Sequence, residues 1–166
     1  MVVLLMAIVA RPPADILDGV PDGTEVIPVS SRDHVDGDID YGVAVPAGGA
    51  HNVSWLNCGI YDTEVPAENA VHSLEHGAVW LTYNPSLVEA SDIDALESEG
   101  RRRSSRVIVS PVPDQDAPVM ATSWGHQLEV DNGTDTRIRQ YVNEFTKPEY
   151  APEPGATCAG GIGNPA

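Results

Sequence analysis

The chain has 166 residues, a length that suits one domain built on one hydrophobic core. Hydrophobic residues make up 42%, which excludes wholesale disorder, but aromatics reach only 5%, so the core must come mostly from Val, Ile, Leu and Ala. With 25 acidic residues against 9 basic ones the net charge is -16, a field that repels phosphates and excludes nucleic acid as a partner.

In chain order, Met1 to Ala10 is an apolar run followed by Arg11-Pro12-Pro13. Crossing a bilayer takes about 20 apolar residues, so residues 1–10 read as the remnant of a signal or membrane anchor. Residues 11–33 read as a linker and 34–166 as a single extracytoplasmic domain. Residues 11–50 are rich in Pro, Gly and Asp, with short extended pieces at 25–29 and 38–45. The first helix is expected over Pro66–His76, with Pro66 at its first position, Glu68 in its first turn and Gly77 stopping it. Ala78 to Tyr83 follows as a strand. Asn84-Pro85-Ser86 opens a second helix over 86–99, stopped by Gly100, and the cluster Arg101, Arg102, Arg103 and Arg106 forms a solvated turn. Residues 107–109, 118–122 and 126–130 read as strands, 131–134 as a turn, and 135–146 as a third helix. The Pro- and Gly-rich tail from Pro148 to Ala166 lies over the surface. The expected fold is α+β: a single compact domain with a small mixed sheet and about three helices, between an irregular N-terminal segment and a C-terminal tail.

Cys58 and Cys158 are the only cysteines. An even count in an exported chain favours a disulfide that would tie the tail to the body, with roughly 2–4 kcal/mol of stabilisation. The alternative is a Cys58 thiolate that binds metal.

The segment that carries chemistry is His72-Ser73-Leu74-Glu75-His76. On a helical wheel Ala67, Val71, Leu74 and Ala78 form a packing stripe, and His72 and His76 meet on nearly the opposite side. Histidines at i and i+4 aim two imidazoles at one point, the spacing of helical metal sites. His51, after the pliant Gly48-Gly49, is the best third ligand. Met120 is a soft alternative, and His34 and His126 are reserves. Glu75 stands beside them as a fourth ligand or as a carboxylate orienting an imidazole. Three histidines with an open position suit copper or zinc, and an extracytoplasmic setting favours copper. The leading reading is therefore an extracytoplasmic metal-binding protein.

Two other readings fit the same residues. His-x-x-Glu-His is also the inverted zinc-peptidase pattern, in which Glu75 would be the general base and Glu144 a nominal third ligand. Alternatively, the histidines and Glu75 form a buried polar network in a non-enzymatic interaction domain. No Gly-x-Ser-x-Gly elbow, phosphate loop or dinucleotide fingerprint occurs.

The motifs also carry a resemblance. His34-Val35-Asp36-Gly37, the run from Pro46 to His51, the run from Trp55 to Tyr61, the run from Glu68 to Trp80, Ala121 to Gly125, and Pro152 to Cys158 with Gly160-Gly161 together resemble the domain-of-unknown-function 3105 family. That resemblance implies a domain held outside the bacterial membrane by an N-terminal anchor, with His51, His72, Glu75 and His76 in the shared pattern. It implies no reaction. Set against the family's usual long anchor, the short apolar start reads as a truncated one. The partners expected from this setting are a metal ion and a membrane protein.

Overall fold

A computed structural model describes residues 18–166; the apolar run at 1–10 and the start of the linker, 11–17, lie outside them. No helix among the described residues is long and apolar enough to cross a membrane.

The elements in order are β1 (Glu25–Val26), β2 (His34–Val35), β3 (His51–Asn52), β4 (Gly59–Ile60), α1 (Ala67–Glu75), β5 (Val79–Tyr83), α2 (Ala90–Arg102), β6 (Val107–Pro111), β7 (Val119–Ser123), β8 (His126–Val130) and α3 (Thr136–Phe145), followed by a 3-10 turn at Pro148–Tyr150. Six strands make one mixed sheet in the order β1-β8-β7-β5-β6-β4, in which β4, β6 and β5 run parallel and the rest antiparallel. β2 and β3 form a separate parallel pair. The architecture is the expected α+β.

Strand alternation divides the core into two layers. Val79, Leu81 and Tyr83 of β5, with Val107, Val109, Val119 and Ala121, face Leu96 of α2 and Ile138, Tyr141, Val142 and Phe145 of α3. Trp80, Ile108 and Met120 point the other way, onto Ala70 and Leu74 of α1. Every residue of β5, β6 and β7 is buried because helices cover both faces of the sheet. Trp80 Nε1 donates to Ser110 Oγ at 2.9 Å, which satisfies its one polar atom inside the core.

Local chemistry moves several boundaries. Residues 38–45 bend rather than extend: Gly42 N donates to the Asp40 carboxylate, an Asx turn, and Gly42 takes a φ of 69°. Asn84 does not start a helix. Its side chain accepts from Ser86 N and donates to the Pro113 and Gln115 carbonyls, so α2 waits until Glu89 and Asp92 close a capping box. Gly100 does not stop α2 either. It lies inside the helix, where a Cβ would stand 2.8 Å from Val109 Cγ2, so its role is to let the helix approach β6. Arg106 is no solvated turn residue: its Nη1 donates to the carbonyls of His76 (2.6 Å) and Ala156 (2.9 Å), tying the end of α1 to the tail. Arg101 and Arg102 pair with Glu97 and Glu99 on their own helix.

The tail is strapped down. Cys58 and Cys158 form a disulfide with their Cα atoms 5.4 Å apart. Around it, Asn57 N donates to Ile162 O and Ala166 N to Ile60 O, both at 2.8 Å. The described part of the linker is bound too: β1 pairs with β8, and Ile27 N donates to Gly125 O.

Gly133 admits no side chain. A Cβ on Gly133 would fall 2.2 Å from the Asp92 backbone oxygen, at a point where Gly133 N also donates to the Asp92 carboxylate. Gly133→Ala is expected to cost about 1–3 kcal/mol of stability by overpacking, read as a lower urea midpoint at unchanged m-value.

Candidate metal centre

The site is built where α1 crosses the β2–β3 pair. Gly48 and Gly49 enter β3 with φ of 146° and 120°, and a Cβ on Gly48 would lie 2.7 Å from Val29 Cγ2. This tight turn delivers His51 to the interior with no exposed surface. The parallel register of β2 on β3 sets His34 directly beside His51. One turn of α1 adds His72 and Glu75, which share a face at i and i+3. One ligand atom from each of His34, His51, His72 and Glu75 falls within 4.8 Å of all the others.

Second partners fix the aim of two rings. His51 Nδ1 lies 2.9 Å from Gly49 O, and His72 Nδ1 lies 2.7 Å from Asn52 O. A carbonyl oxygen only accepts, so each Nδ1 carries a proton, and in the neutral ring each Nε2 presents a bare lone pair. Metal-binding histidines have this habit of donating their other nitrogen to a backbone carbonyl. Burial holds the His72 pKa below the ordinary histidine value; the bond to Asn52 opposes the shift, and the nearby imidazoles of His76, His51 and His34 reinforce it. Its ring is therefore neutral, and available as a ligand, near pH 7.

Glu75 has its side chain 1% exposed. Its Oε1 accepts from Arg32 Nε, which offsets part of the cost of burying a carboxylate. Its Oε2 stands 3.0 Å from His51 Nε2, but the alignment is not that of a hydrogen bond, and among the described residues neither buried atom has a hydrogen-bond partner. With the His51 ring neutral these are two electron-rich atoms facing each other, at a cost in free energy that a cation between them would recover.

The structure treats the other candidates differently. His76 is buried but stands outside the four-residue group: its Nδ1 donates to Thr157 O at 2.7 Å, and its Nε2 is 3.6 Å from Glu153 Oε2 on the tail. It packs against His72, with ring centroids 4.6 Å apart. His76→Ala is therefore expected to leave ion stoichiometry unchanged, checked by metal analysis after desalting. Met120 lies in the core layer beneath α1. His126 stacks on Phe145 and bonds the Trp124 carbonyl. Glu144 is engaged by Lys147, Tyr150 and Gly19 N. Cys58 is held in the disulfide and presents no thiolate.

His34 is the donor that helical spacing could not reveal. Its partner relation depends on a two-residue strand, too short to show a period, and the signal within reach was its place in the His34-Val35-Asp36-Gly37 motif.

Comparison with known families places this geometry. The family described as "Protein of unknown function (DUF3105)" matches residues 34–160. The chain belongs to the DUF3105 family. The matched span contains all four donors and both cysteines, so the centre lies wholly within the DUF3105 region. Comparison with curated proteins and with solved structures returned no match.

Proposed function

We propose that this DUF3105 protein binds a divalent transition metal outside the cytoplasm, copper(II) first, through His34, His51, His72 and Glu75. The observation that carries the reading is the buried, unpartnered pair of His51 Nε2 and Glu75 Oε2 inside a group of four convergent donors. Imidazole suits copper, zinc, iron and nickel, and affinities at nitrogen and oxygen sites peak at copper(II) along the first-row divalent series. With both cysteines oxidised and Met120 in the core, no soft donor among the described residues joins the set, which favours copper(II) over copper(I). Zinc is the second choice. The disulfide supports an oxidising compartment, and there a membrane protein is the expected source or recipient of the ion.

The zinc-hydrolase reading needs His72 and His76 as joint ligands and Glu75 free to activate water. Here the His76 Nε2 lies outside the four-donor group, 3.6 Å from Glu153 Oε2, and Glu75 sits among the donors with its other oxygen on Arg32. Glu75→Gln separates the two readings. As a ligand, Glu75 loses its charge, and ion affinity drops at least about tenfold, the least that a change even to an outer partner costs. As a general base, it would leave affinity intact and lose only activity. A purely structural histidine network is disfavoured by its own orphaned atoms.

The test is metal content by mass spectrometry on protein exported through an oxidising compartment. The expected result is about one copper or zinc per chain. No bound metal, and none taken up on titration, would sink the proposal.

A further inference from the structure

The four donors are not held alike. The side chains of His51 and Glu75 are 0% and 1% exposed and His72 is 5% exposed, whereas the His34 side chain is 42% exposed. The three buried groups are also braced. Gly49 O and Asn52 O fix the rings of His51 and His72, and Arg32 holds Glu75. Among the described residues the His34 ring has no hydrogen-bond partner; it is held by packing against His51 and His72, at centroid distances of 4.6 and 4.8 Å. Its backbone belongs to a two-residue strand with a single neighbour.

We infer that His34 is the exchangeable ligand, the position through which the ion is taken up and handed on. This rests on the metal-binding reading above and adds a direction to it. Three buried donors retain the ion while the bond from His34 Nε2 breaks and a donor from solvent, or from a partner's imidazole, forms its own bond in that place. The swap exchanges one neutral donor, the His34 nitrogen, for another, a water oxygen or a partner's imidazole nitrogen, so no electron moves and no net charge changes. Of the four donors only His34 is exposed, so a partner that exchanges the ion presents its ligand there. Preorganised donors lose little freedom on binding, while a loosely held one can be displaced at low cost.

The experiment replaces His34 with glycine, and separately His72 with glycine, and titrates each metal-free protein with copper(II), with and without millimolar imidazole. Affinity comes from chelator competition and the ligand set from the copper electron paramagnetic resonance spectrum. Circular dichroism checks that both variants fold. His34→Gly is expected to keep one ion per chain with affinity weakened at least about tenfold, since a direct donor counts for no less than an outer one. Imidazole then restores the affinity and a wild-type-like spectrum, because the vacated position is open to solvent. His72→Gly is expected to lose the ion and to regain none of it. If wild-type protein takes up no copper(II), the metal-binding reading itself fails. If wild type binds but His34→Gly matches it in affinity and spectrum, His34 is no ligand and the inference is overturned. It is equally overturned if His34→Gly loses the ion and imidazole does not restore it.

Discussion

A His72→Ala variant is expected to bind copper(II) at least about 100-fold more weakly than wild type while keeping its fold. Disturbing an outer partner of a metal ligand costs 10- to 100-fold in affinity, and removing a buried direct donor costs no less than the top of that range. The effect on the metal-free protein should be modest. His72 is an α1 residue whose ring donates to Asn52 O, and that carbonyl is only partly buried, so truncation costs about 1 kcal/mol from this bond. The contrast appears in paired melts. At copper concentrations near 100 times the wild-type Kd, the ion should stabilise wild type by about 2.7 kcal/mol and the variant by no more than about 0.4 kcal/mol. An unchanged copper affinity in His72→Ala would remove the residue from the ligand set and, with it, the proposed centre.

The second large effect concerns the disulfide. The bridge closes a loop across a sequence separation of 100 residues, for which chain entropy predicts about 4.7 kcal/mol and experience with native bridges about 2–5 kcal/mol. A Cys58→Ser/Cys158→Ser protein is expected to lose stability in that range in urea. The loss should begin locally. Neither core layer takes more than Tyr150 from the chain beyond α3, whereas the tail delivers Thr157 to His76, Glu153 N to the Glu75 carbonyl and the Ala156 carbonyl to Arg106. Amide exchange should therefore accelerate first in 153–166 and at the end of α1, with β5 to β7 still protected. A destabilisation below about 0.5 kcal/mol, with no change in tail exchange, would mean the hydrogen bonds alone hold the strap.

Some features follow from local sequence and others do not. α1 was legible because its limits are local: Pro66 before the first turn and Gly77 at a φ of 88° behind the last. β5 and β7 were legible as apolar runs bounded by turn residues. Their pairing and the division of Trp80 from its neighbours into opposite layers required the helices to be in place. Gly100 shows how a local rule can miss: a glycine late in a helix reads as a stop, but here the deciding contact is with Val109 on a distant strand. The centre divides in the same way. His72 and Glu75 share a helix face, so three-residue spacing alone brings them together, and His51 after two glycines was a reasonable third. The helical wheel favoured His76 over His34 because i and i+4 residues are neighbours on any helix. In the folded chain the register of two short strands sets His34 beside His51, while the His76 Nε2 lies toward Glu153 of the strapped tail. The contact of His72 with His76 follows from local spacing, but the convergence of His34 and His51 on His72 depends on long-range partners that no local period encodes.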